Sequence, residues 1–218
     1  MIRSGLTFSG GIAMASTVWL FVQPVSALAG MSATPGQICD ALAASAFDRT
    51  KPPSIPPVAY NVLKTNAAAA VSACDQAAQG EPGQPRYLFE LGRALEAAGR
   101  EADAVPMYVK ASMAGYGPAS RSLGLIFYDG SGVGKDLTIA FGYYRTAVEQ
   151  GDTDAMLNLG AMYEGGEGVA VDMATARSLY LLAKSNGDSD ADKYLSELDA
   201  SSLAPDSDQG ELVDFFKH

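Results

Sequence analysis

The sequence has a single histidine, and it is the last residue, His218. Without a second one there is no histidine pair for zinc and no imidazole inside the fold for general-base work. Cysteine is as scarce: Cys39 and Cys74 are the only two. Two thiols without further ligands do not make a four-coordinate metal centre. Basic residues are outnumbered, 15 against 25 acidic, for a formal net charge of −10. That balance argues against nucleic acid and anionic lipid as partners. The apolar run Ile12 to Val22 has 11 residues, short of the roughly 20 that cross a bilayer. A Ser-x-x-Lys acylation motif is missing as well. These absences leave few catalytic classes open, and no cofactor or metal is expected.

What the chain does have is a period. Shifted by 36 residues, Ala119 falls on Ala155, Leu123-Gly124 on Leu159-Gly160, and Gly130-x-Gly132-Val133 on Gly166-x-Gly168-Val169. Asp136, Ala140, Tyr144, Ala147 and Gly151 fall on Asp172, Ala176, Tyr180, Ala183 and Gly187. A fixed period of this size marks stacked supersecondary units, each too small to bury its own apolar face. Within a unit, Leu123, Gly124 and Phe127 share one helical face, and Ala140, Tyr144 and Ala147 another. The unit is therefore a helical hairpin in which small residues allow close approach. Gly151 and Gly187 mark helix ends, while Asp136, Asp152, Asp172 and Asp188 are expected as N-caps. The fold class is all-α, a short α-solenoid of stacked antiparallel hairpins.

Residues 1–29 read as an export signal: Arg3, the apolar run, then Ala27-Leu28-Ala29, with cleavage after Ala29. The expected product is periplasmic or secreted and has no stable membrane anchor. In such a compartment Cys39 and Cys74 suggest a disulfide, the alternative being two buried free thiols. Residues 30–84 form an N-terminal capping unit. Its helices, Gln37 to Phe47 and Ala67 to about Gly80, are joined by the proline-rich connector Thr50 to Pro57.

Residues 85–118 make a shorter hairpin. Ala104, Tyr108 and Ala111 match Ala140, Tyr144 and Ala147 at 36, but Leu91-Gly92 precedes Leu123-Gly124 by only 32. The four missing residues fall in the inter-helix loop. Leu91-Gly92, Leu95, Ala104, Tyr108 and Ala111 resemble a tetratricopeptide hairpin. The units 119–154 and 155–190, with their Gly-x-Gly-Val loops, resemble Sel1-like repeats, which are that hairpin with a longer loop. The resemblance spans residues 85–195 and implies a non-catalytic protein-binding module, an envelope adaptor or regulator. Similar periplasmic proteins restrain sensor kinases, and some family members bind penicillin-like ligands.

Asp129 to Asp136 imitates a phosphate-binding loop. It lacks glycine at Asp129 and Ser or Thr at Asp136, and its copy at Gly165 to Gly168 lacks the lysine. The loop carboxylates Asp129, Asp136, Glu164 and Asp172 are candidates for acid–base work in an envelope enzyme or small-ligand binder. Their recurrence favours capping and loop roles.

Repeat geometry nominates a concave groove on the first helices. It is lined by Phe89, Arg93 and Glu96, then Arg121, Leu125 and Tyr128, then Leu157, Ala161 and Glu164. The arginine pair suits an acidic or C-terminal peptide segment of an envelope partner. Residues 191–218 hold a partial helix, a linker over Ser201 to Gly210 and an apolar tail. In the tail Leu212, Phe215 and Phe216 are expected to cap the stack, plug the groove or dock on a partner.

Overall fold

Alanine-rich, proline-punctuated segments with apolar residues at i, i+4 and i+7 fold as short helices. The computed structural model describes residues 33–203. The expected export signal, residues 1–29, and the tail residues Leu212, Phe215 and Phe216 lie outside those residues. Among the described residues there are ten helices and no strand. α1 (Pro35–Ala43), α2 (Tyr60–Thr65) and α3 (Ala67–Gly80) form the first unit. α4 (Pro85–Ala97) with α5 (Glu101–Met113), α6 (Gly117–Asp129) with α7 (Leu137–Glu149), and α8 (Asp154–Gly165) with α9 (Met173–Ser185) are three hairpins. α10 (Ala191–Leu203) packs on α9 and α8.

The helix ends follow from local chemistry. Thr34 and Gln37 form a reciprocal capping box, and Pro35 opens α1 where a missing N–H costs nothing. Asp136 and Asp172 cap α7 and α9 by accepting from the backbone N–H of Ile139 and Thr175. Asp152 accepts from Ala155 N at 2.9 Å, but α8 begins at Asp154. Asp188 bonds Asp190 N in a turn ahead of α10. These two aspartates, expected as N-caps, are turn-formers instead: Asp152 stands one residue before the N-cap Thr153, and Asp188 three residues before α10 begins. Gly130 and Gly166 end α6 and α8 in the left-handed region, φ +78° and +68°, which side chains disfavour.

Each hairpin closes on one contact. A Cβ on Gly92, Gly124 or Gly160 would lie 2.4–2.6 Å from the ring of Tyr108, Tyr144 or Tyr180. The glycine is required because the tyrosine ring lies flat on its backbone. Ala104, Ala140 and Ala176 are fully buried beside those rings.

The first unit differs from its expected form in two places. α1 stops at Ala43, and residues 44–59 run as turns and extended backbone. The connector is followed by an extra helix, α2, whose Leu63 is buried. Cys39 and Cys74 are bonded, joining α1 to α3.

Candidate functional site

The face expected to form the groove is carried by α4, α6 and α8, and the first unit lies against part of it. α1 packs on α4, and the chain after α1 lies along the arginines nominated as groove residues. Arg93 Nη1 donates to the carbonyl of Ala43. Arg121 Nη2 donates to the carbonyl of Phe47 at 3.2 Å, and its guanidinium faces the Phe47 ring at 6.0 Å. Asp48 is buried, accepting from Tyr116 Oη, from Thr50 N and Oγ1, and from Lys51 N. Arg49 reaches Asp154 at 3.1 Å and Asp188 at 3.2 Å.

The nominated residues therefore divide. Phe89, expected to line an open groove, is only 2% exposed and sits between Tyr108 and Tyr116, ring centroids 5.8 and 5.4 Å away. The cause is its place on α4: Phe89 stands one turn before Gly92, on the side that meets the Tyr108 ring of α5, so it points into the hairpin. Leu157 is 7% exposed and forms a floor rather than a contact surface. Glu96 and Glu164 are also not free ligands. Glu96 accepts from Tyr108 Oη at 2.6 Å and Glu164 from Tyr180 Oη at 2.8 Å, each four residues after the hairpin glycine. Burial raises the Glu96 carboxyl above its ordinary value.

The arginine pair is engaged within the chain, against the expectation of two cations waiting for an acidic peptide. Arg121 Nε bonds both Asp152 oxygens, at 2.9 and 3.1 Å, and Nη2 lies 3.5 Å from Asp154. Burial lowers the pKa of Arg93. Desolvation raises that of Asp154, against the pull of Arg121. Asp152, Asp154 and Asp188 around Arg49 and Arg121 leave the local balance negative rather than positive.

Leu125 and Tyr128 do come together on an open surface. Leu125 is 50% exposed. With Tyr128, Asn158, Ala161, Met162 and Glu167 it lines a cleft of about 180 Å³ between α6 and α8. Tyr128 donates to Glu167 at 2.8 Å, and the Lys135 ammonium lies over its ring at 5.0 Å. Next to it, a cleft of about 340 Å³ is lined by Phe47, Arg49, Arg121, Leu157 and Asp188. Phe47, Arg49 and Asn158 were missed in the sequence. Phe47 and Arg49 stand far from the repeats they touch, and the sequence around them carries no period.

Of the loop carboxylates, Asp136 and Asp172 cap helices and Glu164 holds a tyrosine. Asp129 is exposed on the wall of the α6–α8 cleft. Away from the groove, Glu90 is fully buried, with Oε2 3.0 Å from Cys39 Sγ and Oε1 3.2 Å from Arg86 Nη1. A bonded sulfur carries no hydrogen, so this contact is a hydrogen bond only when the carboxyl is protonated and donates. Desolvation pushes its pKa up to about 7, against the pull of Arg86. Cys39, Cys74 and Glu90 converge, but sulfurs bonded to each other are not thiolate donors.

The Sel1 repeat model matches residues 117–152 and 153–188, the spans of α6–α7 and α8–α9. Among solved structures, a Sel1 repeat protein from Oxalobacter formigenes is 26% identical, covering 66% of this chain and 62% of that one, with a TM-score of 0.55. The protective antigen c5321 of uropathogenic Escherichia coli is 25% identical over 66% of this chain and 34% of its own, with a TM-score of 0.58. Cysteine rich protein B of Helicobacter pylori is 26% identical over 62% and 96%, with a TM-score of 0.46. The chain thus spans less than two thirds of the first two. No curated protein matches it. The period, the glycine–tyrosine contacts and the matched model together identify residues 117–188 as two Sel1 repeats within an all-helical solenoid fold.

Proposed function

We propose that this chain is a non-catalytic, exported protein-binding module that takes a peptide segment of an envelope partner on its concave face. Sel1 repeats typically mediate protein–protein contacts. The observation that carries the reading here is the half-exposed Leu125 set in the α6–α8 cleft, beside Tyr128 and the polar Asn158. An apolar anchor with adjacent hydrogen-bonding groups is the usual composition of a peptide pocket. Ala43 and the turn at Phe47 add a second support: on this face arginine side chains already hold backbone carbonyls. Because Arg93 and Arg121 serve the chain itself, the partner's anchor belongs in the α6–α8 cleft and not on the arginines.

The test is capture of envelope proteins by the tagged chain, compared with Leu125→Asp. Leu125 is exposed, so the variant keeps the helical circular dichroism of the wild type. Loss of a specific envelope partner supports the reading, and undiminished capture by a folded Leu125→Asp protein overturns it.

A further inference from the structure

The four residues missing from the first hairpin leave a mark on its surface. In the second repeat the space between hairpin and preceding unit is filled by three side chains. Phe127 stacks on Tyr143, centroids 5.7 Å apart at 13°. Val133, carried on the glycine loop, packs half-buried against the N-terminal core. The loop seats on the first turn of α5: a Cβ on Gly132 would lie 2.8 Å from Glu101 Cβ. In the third repeat the corresponding loop seats on the first turn of α7, with Gly168 against the carbonyl of Leu137. Tyr163, at the Phe127 position, meets Phe141 edge to face at 5.3 Å.

The first hairpin has none of these fillers. Leu95 stands where the next repeat has Phe127, Met107 where it has Tyr143, and the valine-bearing loop is reduced to Ala98–Arg100. At that place the surface holds a cleft of about 370 Å³ with Leu91, Leu95, Val71 and Met107 on its walls. Asp75, Arg100 and Asp103 stand around it. Arg100 is neutralised by Asp103 at 2.7 Å, so Asp75 leaves the rim negative. Pro106, also on the wall, has no N–H for the carbonyl of Ala102, four residues back, and so leaves a backbone acceptor on the helix.

We propose that this cleft is a second protein-docking site, taking from a partner what the later repeats supply for themselves. The occupant is a loop segment that presents an aromatic or large aliphatic side chain beside a lysine or arginine. The anchor fills the Leu91–Leu95–Met107 walls, and the cation sits against Asp75. The site shares no lining residue with the concave cleft, so it stands or falls independently of it.

The probe is a labelled, end-capped peptide of the chain's own filler, residues 127–135 with Asp129→Asn, which carries Phe127, Val133 and, as its one charge, Lys135. Its binding is followed by fluorescence anisotropy to wild type, to the cleft-filling variant Leu95→Phe/Met107→Tyr and to Asp75→Lys. The filling pair repeats residues that pack in the next unit, so it retains the fold, checked by circular dichroism. The expected result is binding weakened at least tenfold in both variants. An equal affinity in all three, or no saturable binding to wild type, overturns the proposal. So does binding of a neutral apolar dye that Leu95→Phe/Met107→Tyr abolishes while the peptide fails to bind, since that assigns the cleft to small ligands. Leu125→Asp leaves peptide binding unchanged, which separates this site from the concave one.

Discussion

Cys39 and Cys74 hold their helices together at the place where Gly92 and Tyr108 do so in the next hairpin. Ala70, Cys74 and Ala77 repeat the buried i, i+4, i+7 series of Ala104, Tyr108 and Ala111. A covalent bond thus replaces ring-on-backbone packing in the first of the described units. Removing the disulfide with Cys39→Ala/Cys74→Ala should cost roughly 3–4 kcal/mol for a 35-residue separation. Because repeats contact mainly their neighbours, hydrogen exchange should accelerate in α1–α3 while α6–α9 stay protected. Uniform loss of protection would show that the unit is not the level at which stability is organised.

The glycine–tyrosine contacts make opposite predictions for two helical glycines. Gly160→Ala would place a Cβ 2.4 Å from Tyr180 Cε1, and moving a buried ring should cost about 1–3 kcal/mol. Gly142, inside α7, has nothing within 4 Å of its added Cβ. There alanine should stabilise by up to about 1 kcal/mol through helix propensity. Urea titration of both variants compares the two signs directly.

Glu90 should give the first unit a distinctive pH response. Its carboxyl titrates near 7 in the folded chain against 4.5 ordinarily. A raised folded pKa means that the native state holds the proton more tightly. The contribution to stability is full below about pH 4.5, falls as pH rises towards 7 and is lost above it, a change of order a few kcal/mol. Glu90→Gln removes the titration, so its stability relative to wild type should improve steadily between pH 4.5 and 7. A difference independent of pH would contradict the assignment of the donor proton to Glu90.

The strap over the concave face should be unequal along its length. Asp48→Ala leaves the buried Tyr116 hydroxyl and the Thr50 and Lys51 donors without their acceptor, and should cost about 2–4 kcal/mol. Arg49 is half-exposed, so its pairs with Asp154 and Asp188 are screened, and Arg49→Ala should change stability by less than about 1 kcal/mol. Thermal unfolding of the two variants distinguishes an anchored strap from a loosely held one.

Much of the fold is legible because repetition lets each unit support the reading of the next. The 36-residue shift aligns Gly124 with Gly160 and Tyr144 with Tyr180, and those pairs are the hairpin contacts. The capping roles of Asp136 and Asp172 follow from the same register. Of the nominated groove residues, Leu125, Tyr128 and Ala161 share one cleft. Phe89 points at Tyr108 within its own hairpin, and helical periodicity does not say what covers Arg93 and Arg121. The cover is residues 35–50, a single-copy segment with no periodic signal. It engages Arg93 and Arg121, and it brings Arg49 next to Asp188 across 139 positions of sequence. The four-residue deletion was visible as a spacing, but the cleft it leaves depends on Leu95 and Met107 being smaller than Phe127 and Tyr143.

The most direct test of the concave-face account is a photo-crosslinking residue placed at Leu125 in one version of the chain and at Leu182 in another. Leu182, 45% exposed on α9, is a solvent-facing control on a second helix. The adducts are identified by mass spectrometry after irradiation in the envelope. The account predicts one discrete protein adduct from position 125, mapped to a single segment of the partner, and none from 182. Adducts from 182 alone, or from neither position, would contradict it.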